Sequence, residues 1–317
     1  MSEKIAVIGA GAWGTALAVL LANAGKDVTL WLRDEPRADE LARTRTNPRL
    51  PTATLPKNLA ITAKIPNADI LLLTVPTQYL RATLALLPET DAPLVLCCKG
   101  LETGTLQLPP EMIEHRRAAM LSGPNFAHEI ARGLPAAAVL ATPDAALRAA
   151  LMASLKTRTL RLYGSADILG AALGGAAKNV IAIAAGVVIG AGLGENARAA
   201  LITRGLAEIA RLALALGGRA ETVSGLSGLG DLLLTCTGAS SRNFSLGVAL
   251  GQGQTLADIL NQRASVTEGI TTAPALLARA QAAGADMPIT EAVTNLLNGV
   301  SVAETMATLM ARALKDE

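Results

Sequence analysis

From residue 4 to about 165 the chain alternates short apolar runs with longer stretches whose apolar residues recur at helical spacing. The runs are "KIAVIG", "DVTLWL", "LAIT", "DILLLTV", "PLVLCCK", "AAMLSG", "AAAVLA" and "TLRLYG". Strands separated by helices predict βαβ units, hence a doubly wound, mostly parallel sheet covered on both faces. Beyond residue 165 the strand-like runs stop, and periodic Ala/Leu sequence such as "ENARAALITRGLAEIARLALALG" predicts an all-helical second half. Arg204, Glu208 and Arg211 are expected to form one polar stripe there. The pattern divides the chain into a sheet domain, 1–166, and a helical domain, 167–317.

One stretch fits two readings. "ILGAALGGAAKNVIAIAAGVVIGAGL", residues 168 to 193, is long enough to span a bilayer and carries small-xxx-small spacings such as Gly186 to Gly190. Against a membrane helix, Lys178 and Asn179 sit well inside it, where a cation in hydrocarbon costs a few kcal/mol or more. The glycines serve equally for close packing of a buried helix, which is the reading adopted.

Composition narrows the partners. Two Trp, two Tyr and two Phe in 317 residues leave a core built of Ala, Leu, Val and Ile. Twenty-eight basic and 26 acidic residues give a net charge of +2 with no polybasic run, so nucleic acid and anionic lipid are not expected as partners. Cys97, Cys98 and Cys236 form an odd set without C-x-x-C spacing, and the adjacent pair is expected to point to opposite faces of a strand. This fits a reducing cytosol and no structural zinc. A polar N-terminus that runs straight into a strand lacks signal-peptide features, so a cytoplasmic protein is expected.

The sharpest local feature is "GAGAWG", where Gly9, Gly11 and Gly14 stand as G-x-G-x-x-G after the strand Lys4 to Ile8 and open a helix ending at Gly25. In this context the first glycine permits the turn, the second lets a pyrophosphate approach the backbone, and the third lets helix and strand pack. Amides at the helix N-terminus hold the anion. The next strand, Val28 to Leu32, ends in Arg33 and Asp34, about 20 residues on, where the adenosine ribose belongs. The expected fold is therefore a Rossmann-type dinucleotide-binding domain followed by an all-α domain.

Other chemistry is largely excluded. The histidines are His115 and His128; "HEIAR" carries Arg132 where a zinc-binding H-E-x-x-H needs its second ligand, and His128 reads as a solvated helix residue. There is no phosphate loop of the G-x-x-x-x-G-K-[ST] type, and "GLSGLG" lacks the spacing of a nucleophile elbow. A redox enzyme using lysine as acid and base remains. From the residues alone, Lys178 either snorkels or catalyses.

The motifs "GAGAWGTALA", "VPTQ", "KGLE", "LSGPNFAHEIA", "AAKN", "GLSGLGDLLLTC", "SSRN" and "VTEG", taken in order over nearly the whole chain, resemble those of the bacterial-type NAD(P)-dependent glycerol-3-phosphate dehydrogenases. The resemblance implies hydride transfer between NADP(H) or NAD(H) and C2 of dihydroxyacetone phosphate, giving sn-glycerol 3-phosphate for phospholipid synthesis. It implies that Lys178 is the proton donor and acceptor and that Lys99 contacts substrate and cofactor. Arg242 and Asn243 match the substrate-phosphate site, with Ser241 and Asp231 completing the pocket; the alternative for Asp231 is a helix cap. Gly123 and Asn125 match the substrate loop, although many relatives carry Ser or Thr in place of Asn125. Ala12, Trp13, Arg33, Ala127, Arg242, Val266 and Glu268 match cofactor contacts, the plainer reading of Val266 and Glu268 being the start of a helix after Thr267. The triad Trp31, Leu32 and Arg33 implies an arginine turned toward the adenosine, hence use of NADPH with NADH also accepted.

Two rivals stay open on sequence. A related two-domain hydroxy acid dehydrogenase or ketopantoate reductase shares the plan without needing Ser-Arg-Asn. A non-catalytic dinucleotide sensor that dimerises through its helical half needs the glycine turn but not Lys99 and Lys178. A small-residue-rich helical half makes a homodimer the expected state.

Overall fold

Strands form where the apolar runs predict them: β1 (Lys4–Ile8), β2 (Asp27–Trp31), β3 (Ala60–Thr62), β4 (Ile70–Leu73), β5 (Leu94–Leu96), β6 (Ala118–Ser122), β7 (Ala136–Ala141) and β8 (Leu160–Ser165). The structure is a computed structural model that describes residues 3–113, 116–238, 240–262 and 267–313. The strands make one eight-stranded sheet, ordered β3-β2-β1-β4-β5-β6-β7-β8. All pairings are parallel except that of β6 with β7. β1 and β4 read as near-continuous apolar runs because helices cover both faces, and every residue of Ile70–Leu73 is buried.

The helices of this part are α1 (Ala12–Asn23), α2 (Glu35–Thr44), α3 (Leu80–Leu84), α4 (Ala127–Ala131) and α5 (Ala145–Leu155). There follow α6 (Ile168–Gly190), α7 (Gly194–Ala215), α8 (Ala220–Val223), α9 (Asp231–Thr237), α10 (Arg242–Gly251), α11 (Leu256–Asn261), α12 (Glu268–Ala282), α13 (Pro288–Leu297) and α14 (Val302–Met310). The chain divides into two compact units, Met1–Lys99 with Gln107–Ala172, and Gly100–Leu106 with Leu173–Glu317. The division thus falls inside α6, six residues beyond the 166 read from the pattern (172 − 166). Segment 100–106 goes with the helices.

In the first unit, β1 lies between β2 and β4, where the strand order reverses. Ile8 is level with Trp31 on one side and Leu73 on the other, so the strand ends open together at this point. Open α/β sheets bind ligands at such a switch point.

In the second unit α6 is a core helix. Among the described residues it is the helix long and apolar enough to cross a membrane, and 94% of its most apolar 18-residue window is buried within the protein. Its small residues are used for packing on α10. A Cβ on Gly186 would overlap the Phe244 carbonyl oxygen, and one on Gly190 that of Val248. Reciprocally, Gly247 and Gly251 admit the Ile183 and Val187 carbonyl oxygens. The two backbones touch, and bare glycine on both sides is the reason they can.

Two local expectations are corrected. Arg204 and Arg211 face outward, but Glu208 is buried and accepts from the Ile289 N–H at 2.6 Å and the Thr290 N–H at 3.3 Å. The polar stripe is therefore broken: the carboxylate caps the N-terminus of α13 instead of facing water. Cys97 and Cys98 follow β5 rather than lying in it, and both are buried.

Candidate active site

The glycine turn answers for its three glycines differently. Gly9 sits at φ +118°, a conformation that side chains resist. Gly14 packs so closely that a Cβ would overlap the Gly9 carbonyl oxygen and the Thr74 hydroxyl. At Gly11 a Cβ would meet nothing within 4 Å. The protein itself does not require glycine there; an incoming group that must reach the backbone does. Gly11 is the N-cap of α1 yet offers no capping side chain, so the first-turn amides, beginning with Ala12 and Trp13, face that space. The Trp13 indole Nε1 is buried and unpartnered among the described residues. This cradle fits a dinucleotide pyrophosphate.

Side chains hold the turn in shape. The Thr74 hydroxyl donates toward Ile8 and Gly9 carbonyls at 3.0 and 2.8 Å. Buried Asn47 donates to the Ala10 carbonyl at 3.2 Å and to the Thr15 hydroxyl at 2.7 Å. Arg37 donates to the same Ala10 carbonyl at 3.2 Å and to Asn47 Oδ1 at 3.1 Å. Burial, and then the neighbouring Arg49 guanidinium, push Arg37 below its ordinary value. Asp34 is occupied as the N-cap of α2, accepting from the Arg37 N–H, while Arg33 is exposed at the end of β2. Arg33 and Asp34 are thus both exposed at the end of β2, one free to meet a ligand and the other engaged at the start of α2.

Further along the same sheet, Lys99 is half-buried just past β5. A Cβ on Gly123 would lie 2.9 Å from Ala138 Cα, so glycine lets the loop after β6 lie on β7. Asn125 donates to the Ala137 carbonyl at 3.0 Å, and its Oδ1, like the Ser122 hydroxyl, is buried without a partner among the described residues. Ala127 opens α4, and His128 beside it is stacked on Phe126 at 5.7 Å, half-buried rather than fully solvated.

The second unit gathers the ionic chemistry. Lys178, on α6, forms a hydrogen-bonded ion pair with Asp231, the first residue of α9. Lys178 is 8% exposed and Asp231 0%. Asp231 is not the N-cap of α9; Gly230 holds that position. A π-helical turn, Leu226–Gly230, delivers it, and Gly174, one turn before Lys178, lets this turn approach: a Cβ there would lie 2.6 Å from the Ser227 carbonyl oxygen. Such π-turns recur at functional sites. Cys236 lies beside the pair, its thiol pushed up to about 12 by burial despite the opposing pull of Lys178.

Ser241 is the N-cap of α10, its hydroxyl accepting from the Phe244 N–H at 3.2 Å, and Arg242 is exposed at the first helical position. This puts a guanidinium at a helix N-terminus, where charge and dipole both favour an anion. The Asn243 carboxamide donates to Asn179 Oδ1 at 2.9 Å and accepts from the Gly269 N–H at 3.0 Å. Glu268 begins α12 and accepts from Asn179 Nδ2 at 3.5 Å. Val266 lies outside the described residues.

Sequence reasoning missed Arg37 and Asn47, gave Asn179 no partner and set Glu208 on a surface stripe. Arg37 left a signal, since a cation in the first turn of α2 opposes the helix dipole and asks for a reason. Asn47 left none; only the fold brings it to the glycine turn.

Comparison with known proteins identifies the family. The family described as NAD-dependent glycerol-3-phosphate dehydrogenase N-terminus matches residues 4–148, and the corresponding C-terminus family matches residues 167–308. The chain is 62% identical to a glycerol-3-phosphate dehydrogenase [NAD(P)+] of Acidiphilium cryptum (strain JF-5), over 99% of this chain and 98% of that protein. It is 55% identical to the protein so named from Gluconobacter oxydans (strain 621H), over 97% of each. Its structure resembles the crystal structure of glycerol-3-phosphate dehydrogenase from Coxiella burnetii with a TM-score of 0.93, at 35% identity, covering 98% of this chain and 99% of that one.

Proposed function

The chain belongs to the NAD-dependent glycerol-3-phosphate dehydrogenases, and from that premise we propose how its residues divide the work. The overall reaction is the reversible, NAD(P)H-dependent reduction of dihydroxyacetone phosphate to sn-glycerol 3-phosphate. The nicotinamide cofactor, when bound, supplies the hydride that reaches C2. Lys178 gives a proton to the ketone oxygen as the carbonyl π bond opens, so the C=O becomes CH–OH with one hydride and one proton added. In the oxidative direction neutral Lys178 takes that proton back. Asp231 holds the Lys178 amine in place and balances its charge within the buried unit.

Arg242 and the first turn of α10 receive the substrate phosphate, with Ser241 keeping that turn formed. Lys99, Gly123 and Asn125 serve the remaining polar atoms of the substrate. Gly9, Gly11, Ala12, Trp13 and Gly14 cradle the cofactor pyrophosphate, while Arg33 takes the 2′-phosphate of NADPH. Ala127 and Glu268 complete the cofactor contacts. The product is the phosphorylated backbone of glycerophospholipids, so the reading extends to their synthesis by a cytoplasmic homodimer.

The observation that carries this division is the buried Lys178–Asp231 pair, which a sensor does not need. The test is oxidation of NADPH by purified protein. Turnover with dihydroxyacetone phosphate but not with ketopantoate or a 3-keto acid supports the reading; the reverse preference overturns it.

A further inference from the structure

The Ala10 carbonyl, between the first two glycines of the turn, accepts two side-chain bonds, from Asn47 Nδ2 and from the Arg37 guanidinium, each at 3.2 Å. Ala10 C=O and Gly11 N–H belong to one trans peptide plane, in which the two groups point in opposite directions. Drawing the carbonyl toward Asn47 and Arg37 therefore turns the Gly11 N–H the other way. That N–H bonds no group among the described residues, and a Cβ on Gly11 would meet nothing within 4 Å. The donor is left for an incoming anion.

Asn47 is held so that it can fix this plane. Its Oδ1 accepts from the Arg37 guanidinium and from the Arg49 N–H, both at 3.1 Å, so turning the carboxamide over would set its NH2 against two donors. Nδ2 must then donate, and its two hydrogens go to the Ala10 carbonyl and, at 2.7 Å, to the Thr15 hydroxyl on α1. One side chain thus ties the glycine turn to α1, to α2 and to the loop beyond α2. That loop is anchored in its own right: the Leu50 N–H donates to the Asn47 carbonyl at 2.8 Å, and Thr46 pairs with Thr54. Asn47 and Thr15 are both 0% exposed, so neither side chain can touch a cofactor. Any effect they have on its affinity passes through the turn.

We propose that Asn47 is a positioning residue for the dinucleotide: resting on the reading of the glycine turn as the pyrophosphate cradle, it holds the Ala10–Gly11 peptide so that the Gly11 N–H already faces the pyrophosphate before the cofactor arrives. A donor fixed in advance needs no reordering on binding, and the saving appears as affinity. NADPH and NADH share the pyrophosphate. Asn47 therefore sets the affinity for both alike, unlike Arg33, which serves the 2′-phosphate alone.

The dissociation constants of NADPH and NADH are measured by fluorescence titration of the folded, full-length variants Asn47→Ala, Thr15→Val and Thr15→Ser. Asn47→Ala removes the donor. Thr15→Val keeps the volume but leaves one Nδ2 hydrogen without its acceptor, whereas Thr15→Ser keeps that acceptor. The expected result is both constants raised about tenfold in Asn47→Ala, raised about threefold or more in Thr15→Val, and near wild type in Thr15→Ser, the scale of one weakened hydrogen bond to a charged group. A residue that only stabilises the fold would lower the urea midpoint and leave both constants where they were. Constants within about twofold of wild type in Asn47→Ala overturn the proposal, as does a weakening of NADPH alone. If Asn47→Ala does not fold, Thr15→Val decides by the same criterion. Gly11→Ala tests the cradle separately, since its methyl stands where the pyrophosphate approaches and should weaken both cofactors. Unchanged affinity in Gly11→Ala overturns the cradle and the proposal with it; unchanged affinity in Asn47→Ala alone overturns only the proposal.

Discussion

Lys178 and Asp231 are neighbours only because Gly174, four residues before the lysine on α6, has no side chain to hold the π-turn of the aspartate away. The Asp231 carboxylate is fully buried, so the pair stands or falls together. Removing one partner of a buried pair strands a charge at a cost of about 3 to 5 kcal/mol. Asp231→Ala is expected to lose stability of this order in urea unfolding and most of its turnover. Gly174→Ala is expected to fold less stably and to lose turnover as well, because its Cβ would press on the Ser227 carbonyl. Wild-type turnover in either variant contradicts the role given to the pair.

Arg242→Ala removes a charge-assisted fork from the N-terminus of α10. Binding of dihydroxyacetone phosphate should weaken by roughly 1.5 to 3 kcal/mol. Dihydroxyacetone, which carries no phosphate, should be used as poorly by the variant as by the wild type. Equal proportional losses for both substrates would remove Arg242 from the phosphate site.

At the other end of the cofactor, Arg33 is exposed while Asp34 is engaged as a cap. On the reading proposed above, the 2′-phosphate of NADPH meets the Arg33 guanidinium. Arg33→Ala is expected to weaken NADPH by about 1 to 3 kcal/mol and to leave NADH nearly unchanged, as measured by fluorescence titration. Equal weakening of both cofactors would mean that Arg33 only packs beside the adenine.

Glu208 gives the fold a pH dependence of definite sign. Burial raises its carboxyl from 4.5 to about 7, against the opposing pull of the Ile289 and Thr290 N–H bonds and of Arg211. Between those pH values the unfolded chain releases a proton that native Glu208 keeps. Its contribution is therefore complete below pH 4.5 and falls as pH rises to about 7, by up to about 1.4 kcal/mol per pH unit. Above that, both states are ionised and the loss stops. Denaturant unfolding of wild type and Glu208→Gln across this window should show the slope in the wild type and a correspondingly smaller one in the variant. Parallel curves would exclude Glu208 as the source.

What could be read ahead of the structure was the part carried by local pattern. The strand runs are continuous apolar segments because both faces of a parallel sheet are buried, and they announce themselves. Gly9 and Gly14 are needed by the backbone itself, so the turn is visible as a motif. Hidden from the pattern were residues whose meaning depends on distant partners. Glu208 has the spacing of a surface stripe and is pulled inward by α13, 81 residues on from Glu208 to Ile289. Asn179 and Asn243 are 64 positions apart, and neither residue type announces a buried bond. Lys178 was ambiguous for the same reason, since a lysine in an apolar helix declares a purpose only when Asp231 is found against it.

The central claim is that Lys178 moves the proton. Lys178→Ala, titrated with NADPH and then mixed with dihydroxyacetone phosphate, tests it in one preparation. The account predicts cofactor binding close to wild type and turnover reduced by about 10²-fold or more, the scale of a lost general acid. Turnover at the wild-type rate with the cofactor bound would contradict it.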